Sequence, residues 1–345
     1  MSSEEISTRM LGNIPTEVDK SEGSFFYDAI KSVAIELETK QEEISIALGR
    51  GFATTAEGEY LDRKVSEQNI TRKPATNATG NVTITGQHGA IIKTGMKVSS
   101  ASLTYTYDSE DKVIGVTTIE TVMVKCDTLG SIGNVPSDTI KFFPVSVAGL
   151  SAVTNNDAFT NGYDGEPDNE LRERYLEKIR TPPTSGNKYH YSNWAKEVTG
   201  IGDAKVFPLW AGAGTVKVVI IDSNKQPPGS ELVVDVANNI EDHRPIGATV
   251  TVEAAAGKDI DISVSLTISS EYTQNQVEIN IQTNIIAYLA EIAFVETYVS
   301  FARIGSLILG SEGVLDYTGL TVNTGTANIA IADTEVAILG IITLT

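Results

Sequence analysis

A single stripe of apolar residues near the start of the chain is the feature that most constrains its fold. The stripe follows intervals of four, three, four, seven and four residues: Phe26, Ile30, Val33, Leu37, Ile44 and Leu48. This heptad-like spacing predicts a helix from Ser24 to Leu48, roughly 37 Å long, that packs along a narrow seam. We therefore interpret the seam as an assembly interface between chains; the alternative is that it covers the chain's own β-domain.

Two further features define the rest of the N-terminal region. A short helix is predicted from Glu57 to Gln68, and Gly49 and Gly51 lie before it, where a helix C-cap favours glycine. After Arg72-Lys73-Pro74 the pattern changes to short alternating runs of Val, Thr and Ile broken by glycines. These runs predict a compact all-β domain that extends to about residue 150.

The second half of the chain mixes helical and strand periods. A polar stretch from Thr154 to Gly165 has the composition of a linker, and a helix is predicted to start near Asp168. Residues 204–254 read as strand, strand, helix and strand, with a hairpin turn at 211–214. From Ile260 to Ser269 apolar and polar residues alternate strictly, which predicts a half-buried strand, and helices follow at about 274–293 and 300–309.

Together these patterns predict an α+β multidomain protein with N-terminal helices, a central all-β domain and tandem small α/β sandwich units at the C-terminal end. Five regions are predicted. They are an N-terminal helical assembly region at 1–73, a central β domain at 74–153, a loop and linker helix at 154–186, a first α/β unit at 187–256 and a second at 257–345.

Composition excludes several classes of function. The chain has 26 basic and 45 acidic residues, so its formal charge of −19 makes nucleic acid an unfavourable partner. The single cysteine, Cys126, cannot form an internal disulfide, and it lies in an alternating strand that predicts a buried thiol. No signal peptide is legible, and no apolar run approaches the length of a membrane-spanning helix. A soluble protein with no membrane partner is expected.

No catalytic or cofactor-binding pattern is found. The three histidines are scattered along the chain, and no nucleophile elbow occurs. Asp164, Glu166 and Asp168 alternate as calcium ligands can, but an EF-hand loop would require glycine and glutamate where Asn169 and Tyr175 stand. We interpret these acids as loop and helix-start residues, with an adventitious cation site as the alternative. No enzyme activity, metal or cofactor is predicted.

Several motifs carry a family resemblance. The N-terminal part contains IPTEVDKSEGSFFYDAIKSVAIELE, with Leu61-Asp62-Arg63 and Arg72-Lys73-Pro74 behind it. The middle of the chain contains an Asn-rich loop, a Gly-x-Asp-x-Glu element and Glu-Leu-Arg-x-Arg: Thr154-Asn155-Asn156, Gly162-Tyr163-Asp164-Gly165-Glu166 and Glu170-Leu171-Arg172-Glu173-Arg174. In this order they resemble the baseplate J-like proteins of contractile phage tails and phage-tail-like bacteriocins, especially those of Gram-positive prophages. Tyr163 stands where a second glycine is common, and Pro167 where a serine often caps the helix.

The resemblance implies a structural role without catalysis or cofactor. It implies a baseplate wedge subunit, assembled in the bacterial cytoplasm, that pairs with a second copy of itself and a smaller tail protein. The wedges would form a ring around the central hub, with a lysozyme-like baseplate protein nearby, and would support sheath assembly and contraction. Hinges between domains would absorb the movement of contraction, and the hinge is predicted in the polar loop: Asn155, Asn156, Gly162, Asp164 and Glu166.

Another class of function stays open at this level. The Thr-rich β segments and the acidic surface also suit a cell-surface binding module or a tail-fibre-like adhesin, and a polysaccharide-cleaving tail enzyme is a weaker third option. The heptad-like helix argues against an adhesin. Aromatic residues make up only 7% of the chain, so no stacking platform for sugars is visible either.

Overall fold

The structure is a computed structural model, and it describes residues 1–180 and 186–344. The chain forms two compact units, one from Met1–Arg72 with Glu166–Arg180, the other from Lys73–Gly165 with the chain that follows residue 185. The predicted linker 154–186 thus contributes to both units, and its residues 181–185 lie outside the described part, as does Thr345. The predicted fold class, α+β with several domains, is confirmed.

Helices occupy both units. In chain order they are α1 Ser3–Gly12, α2 Phe25–Gly51, α3 Gly58–Ser66, α4 Asp168–Arg180, α5 Lys188–Glu197, α6 Ser230–His243, α7 Gln274–Ile292 and α8 Phe301–Leu309. No helix within residues 1–180 or 186–344 combines the length and apolarity required to cross a membrane.

All strands of the described chain lie in the larger unit. They are β1 Asn77–Gly86, β2 Ile91–Ile92, β3 Lys97–Ser99, β4 Thr104–Thr106, β5 Lys112–Val113, β6 Ile119–Leu129, β7 Leu150–Thr154, β8 Ile201–Pro208, β9 Thr215–Asp222, β10 Thr249–Ala254, β11 Ala256–Ile268, β12 Tyr298–Val299, β13 Val314–Val322, β14 Ile329–Ala330 and β15 Glu335–Leu344.

The predicted long helix is present as α2, and it begins at the Ser24 N-cap, whose hydroxyl accepts a hydrogen bond from the backbone N–H of Tyr27. The prediction that Gly49 and Gly51 cap this helix is wrong, because both lie inside it. The helix ends at Phe52, which is extended, and the Thr55 hydroxyl donates to the carbonyl of Gly49 at 2.5 Å. The Thr55 side chain therefore satisfies the Gly49 carbonyl at the end of the helix. In many other helices a glycine in the left-handed conformation provides the cap instead.

The first helix, α1, has no counterpart among the predicted elements. A capping box begins it, in which the Ser2 hydroxyl accepts from the Glu5 backbone and the Glu5 carboxylate accepts from the Ser2 backbone. Helix α1 packs against α2, and Ile6 and Ala34 are the fully buried apolar side chains of the two helices. A second small core joins α3 to α4 around Leu61 and Leu171.

The predicted all-β domain is a five-stranded antiparallel sheet with the order β3-β4-β6-β1-β7 wrapped around one apolar core. Alternate residues of β6 point into that core, where Val122, Val124 and Cys126 are all buried. The prediction of a buried thiol at Cys126 is confirmed.

Two small α/β domains complete the larger unit. In the first, the sheet β10-β9-β8 packs against α5 and α6, and a hairpin turn joins β8 to β9 as predicted. In the second, the sheet β13-β11-β15 packs against α7 and α8. The predicted alternation of β11 is observed, because Ile260, Ile262 and Val264 are buried between exposed polar neighbours. Helix α5 was not predicted.

Candidate assembly surface and its platform

The predicted seam lies on the surface of α2. The side chains of Phe26, Val33, Leu37, Ile44 and Leu48 are each between 40% and 62% exposed, and that of Ile30 is half-buried. Large apolar side chains at this exposure are unusual as a contiguous set on a soluble protein. The six residues therefore lie where a partner helix could contact them.

Most of the C-terminal half of α2 is exposed, and its contacts with the rest of its unit lie at its last residues, Gly49 and Arg50. Ten consecutive residues, 39–48, are exposed, so this part of the helix is uncovered on every side. A second apolar face is present here: at about 100° per residue, Ile35 and Ile46 share a face that lies opposite Leu37 and Ile44. Ile35 is 49% and Ile46 53% exposed. The heptad-like spacing of the seam did not indicate this second face.

An ion-pair platform lies at the base of α2. Arg72 pairs with Asp62 of α3 at 2.7 Å and with Asp168 of α4 at 2.6 Å. Its guanidinium also donates to the backbone carbonyl of Glu166 at 2.7 Å. The Asp168 carboxylate accepts in addition from the backbone N–H of Gly58, and this bond together with Arg72 lowers the pKa of Asp168. One arginine thus holds α3 to the start of α4.

Two arginines of α4 extend the platform. Arg174 forms a two-pronged ion pair with Glu166, at 2.8 Å and 2.6 Å, in which both side chains are largely buried. Arg172 donates to the carbonyls of Ala53 and Ala56, both at 2.8 Å. These carbonyls follow directly after the end of α2, so Arg172 fixes the base from which that helix extends.

The platform unites motifs that are far apart in the sequence. Leu61-Asp62-Arg63 provides one carboxylate, Arg72-Lys73-Pro74 provides the shared guanidinium, and Glu170-Leu171-Arg172-Glu173-Arg174 provides two more guanidiniums. Glu166 and Asp168 provide the opposing carboxylates. The motifs that carry the family resemblance thus build one structural network.

Four of the predicted hinge residues are bonded within the larger unit. Asn155 is fully buried, and its amide accepts from the backbone N–H of Thr139 and Ile140 and donates to two carbonyls. The Asn156 amide donates to the Thr83 hydroxyl at 3.1 Å. These contacts tie the Asn-rich loop to the β-domain.

The other two lie next to Asn134 and Ser131. The Gly162 N–H donates to the Asn134 side chain at 2.8 Å, and the Asp164 carboxylate accepts from the backbone N–H and hydroxyl of Ser131 at 2.8 Å and 2.6 Å. Glu166, the fifth predicted hinge residue, belongs to the N-terminal unit through Arg174. The chain therefore passes from one unit to the other between Gly165 and Glu166.

Tyr163 explains one departure from the family pattern. Its ring packs on Gly200, where an added Cβ would lie 2.9 Å from the ring. Its hydroxyl contacts the buried carboxyl of Asp222, whose pKa burial raises to about 6. Hydrogen bonds from the backbone N–H groups of Gln226 and Asn224 oppose this rise. A glycine at position 163 could make neither contact, so tyrosine here fixes the loop on the first α/β domain.

The three alternating acids bind three different partners. Asp164 contacts Ser131, Glu166 contacts Arg174, and Asp168 contacts Arg72 and Gly58. Across residues 1–180 and 186–344, no group of three or more His, Cys, Asp or Glu side chains is placed to hold a metal ion. The arrangement serves loop and helix geometry.

An exposed helix on an ion-pair platform, followed by a β-domain and two α/β domains, makes this a multidomain α+β protein. Family models identify the family to which it belongs. The Baseplate J-like protein barrel domain matches residues 81–162, the Baseplate J-like central domain 183–254 and the Baseplate J-like protein C-terminal domain 260–345. This chain therefore belongs to the baseplate J-like family, and it is a baseplate protein of a phage or tail-like particle.

Individual relatives match between about two thirds of the chain and nearly all of it. The phage-like element PBSX protein XkdT of Bacillus subtilis is 32% identical over 98% of this chain and 95% of its own length. Baseplate protein gp47 of Escherichia phage Mu is 29% identical over 64% of this chain and 65% of its own. Among solved structures, a chain of the anti-feeding prophage baseplate shows a remote likeness, with a TM-score of 0.42, 11% identity, and coverage of 97% of this chain and 90% of that one.

Proposed function

We propose that this baseplate protein is a wedge subunit, two copies of which join a smaller tail protein through α2. The wedges close a ring around the central hub, next to a lysozyme-like baseplate protein, and support sheath assembly and contraction. The observation that supports this proposal is the ten-residue exposed segment of α2 with its two apolar faces. Assembly takes place in the bacterial cytoplasm, and the role is structural, without catalysis.

Two opposite apolar faces suit a helix that contacts two neighbours at once. The seam from Phe26 to Leu48 would pack against one helix, and the face of Ile35 and Ile46 against another. Each such side chain contributes roughly 1.5 to 3 kcal/mol when it is fully buried. A bundle of three helices, one from each of two copies and one from the smaller protein, buries both faces.

Charge explains why the third chain is needed. Between Glu36 and Glu43 the helix carries four glutamates and one lysine, and the chain as a whole carries −19. Two copies of this helix alone would place like charges beside the seam, within a Debye length of about 8 Å at physiological salt. A partner helix with lysine or arginine at its flanks removes that repulsion. The isolated chain is therefore expected to be monomeric or weakly dimeric.

Movement during contraction takes place where the chain crosses between its two units. Asn155, Asn156, Gly162 and Asp164 are bonded within the larger unit, whereas Glu166 is bonded within the smaller one. The chain crosses between the units after Arg72 and after Arg180 as well as at Gly165–Glu166. The proposed hinge therefore comprises these junctions together, and glycine permits a wide range of backbone angles at position 165.

Coexpression with the smaller tail protein tests the wedge proposal. Native mass measurement should show two copies of this chain with one partner. Leu37→Asp combined with Ile44→Asp should abolish the complex and leave the melting temperature of the free chain nearly unchanged. The matched control is Ile279→Asp with Ile286→Asp, which changes two exposed isoleucines of α7 and should leave the complex intact.

Two outcomes would contradict the proposal. A stable homotrimer of this chain alone would indicate a fibre or adhesin, and so would sedimentation of the chain with bacterial cell walls. A large fall in melting temperature for the double α2 variant would place the seam in the chain's own core.

A further inference from the structure

The C-terminal α/β domain has two sheet edges with different properties. The sheet order is β13-β11-β15, so β13 and β15 are its edge strands, and in the described chain β15 pairs with β11 alone. Free strand edges present unpaired N–H and C=O groups, and soluble proteins normally protect them with charges, proline, bulges or a covering helix or loop. The comparison of the two edges shows which one is protected.

The β13 edge carries two such protections, bulges and a charge. Its register with β11 shifts twice, at Ser263/Ser265 and at Thr267/Ile268. Gly319 has a left-handed backbone with φ of 65°, and Asp316 places a charge on the strand. A further strand cannot align with this edge over any useful length.

The β15 edge lacks charge altogether. From Val336 to Leu344 the strand contains no charged residue and no proline, and Ile341 is 73% exposed. Its one irregularity, at Gly340 and Ile341, is bonded to the strand's own sheet, because the Ile341 N–H donates to the Asp261 carboxylate at 2.8 Å. This bulge therefore uses groups on the inner side. Val336 and Ile338 pack in a core with Val219 and Ile221 of β9, so the edge is open to a further strand mainly beyond residue 338.

The surrounding charge determines what can occupy this edge. From Ala256 to Leu344 the domain carries ten Asp or Glu and two Lys or Arg residues, a net charge of −8. Asp259 and Asp261 lie on the strand next to β15, whereas Glu335 at the start of β15 is paired with Lys258. A second copy would bring a further −8 to the same place, so pairing of two β15 edges is electrostatically unfavourable.

We propose that β15 is a docking edge for an extended basic segment of another protein, which adds to the sheet as a fourth strand. Main-chain hydrogen bonds supply the pairing. Lys or Arg residues of the segment lie on the sheet face that carries Asp259, Asp261 and the exposed Ile341, and its alternate aliphatic side chains lie on the other face beside Leu339 and Ile342. This surface lies in the other unit from α2, so its test is independent of the wedge proposal.

The test uses the full chain and two synthetic nine-residue peptides. Both alternate isoleucine or valine with a charged residue, which is lysine in one peptide and glutamate in the other. Fluorescence anisotropy should show binding of the lysine peptide that weakens with salt, and no binding of the glutamate peptide. Hydrogen exchange should slow at residues 339–344 when the lysine peptide is bound.

Two matched variants separate strand docking from general attraction. Ile341→Lys adds a protective charge to β15, and Leu315→Lys makes the same change at a 63% exposed site on β13. The first should weaken lysine-peptide binding about tenfold or more and the second less than about twofold, with melting temperatures unchanged.

Three results would overturn the proposal. They are equal weakening by both variants, binding of both peptides with equal affinity, and protection that maps outside β15. Self-association of the unliganded chain with protection of residues 339–344 would show instead that a second copy occupies the edge.

Discussion

Helices α2 and α7 have similar apolar content but opposite environments. Helix α7 buries six large side chains in the core of its own domain: Val277, Ile281, Ile285, Tyr288, Leu289 and Ile292. Helix α2 is eight residues longer, with 27 against 19, yet it buries only Ala34. The comparison teaches that a helical apolar pattern shows that a face must be covered but does not show which chain covers it.

The largest expected effect separates the two helices directly. Ile285→Asp places a charge in a fully buried site of α7 and should lower the free energy of unfolding of its domain by more than about 4 kcal/mol. Ile44→Asp in α2 should change stability by less than about 0.5 kcal/mol, because Ile44 is 59% exposed. Urea unfolding followed by hydrogen exchange in each helix measures both. Equal losses would show that α2 is covered within its own chain.

The second prediction locates the stability of the N-terminal unit in its platform rather than in α2. Arg174→Ala removes the ion pair of the buried Glu166 carboxylate. It should lower the free energy of unfolding of the N-terminal unit by about 3 to 5 kcal/mol. Arg63→Ala, which removes an exposed arginine–glutamate pair in the same unit, should cost about 1 kcal/mol or less. Denaturant titration of both variants gives the difference, and similar small losses would show that the platform contributes little.

The third prediction contrasts the pH response of the two units. Asp222 has its pKa raised to about 6, so its proton stabilises the folded state, and this contribution appears as pH falls through 6 towards the unfolded value of 3.8. As the pH falls from 8 to 3.8, the free energy of unfolding of the natural chain should rise by about 3 kcal/mol relative to that of Asp222→Asn. Thermal or urea unfolding across this range gives the difference, and a pH-independent difference would contradict the prediction.

The N-terminal unit should respond in the opposite sense. The pKa of Asp168 is lowered in the folded state. Its contribution to the free energy of unfolding is therefore complete above the pKa of the unfolded state and is lost as pH falls through the pKa of the folded state. Asp168→Asn should therefore be most destabilising near neutral pH, and the difference should shrink in acid.

The smallest expected effect tests the end of α2. Gly49 and Gly51 lie inside the helix, and a Cβ added at either would meet no atom within 4 Å. Replacing each with alanine should stabilise the helix by about 0.5 to 1 kcal/mol. Circular dichroism and hydrogen exchange of α2 measure the gain. A loss would show that one of these glycines needs a backbone conformation that alanine disfavours.

Local patterns were predictable from the sequence, and long-range contacts were not. The helix α2 and the alternation of β11 were predicted correctly, because each period depends on residues close together in the sequence. Helix α1 was missed although Ser2 and Glu5 form a recognisable capping box.

The platform could not have been derived from spacing. Arg72 and Asp168 are 96 residues apart, and nothing in a single sequence indicates that they pair. The resemblance identified the right motifs. The hydrogen bond of Asp164 to Ser131 and the ion pair of Glu166 with Arg174 were not visible in the sequence, and the hinge role of this loop stays a prediction. The role of Tyr163 depends on Gly200 and Asp222, which lie far along the chain.

The bond from Arg72 to the Glu166 carbonyl has a consequence for how such chains diversify. The points where the backbone leaves and re-enters the N-terminal unit are joined at 2.7 Å, so everything between them is an insertion with adjacent ends. Such an insertion can be exchanged, enlarged or replaced by a short turn without a change in its host. The β-domain is thus an exchangeable inserted domain. The N-terminal unit should fold as a separate recombinant protein when a short loop joins Arg72 to Glu166.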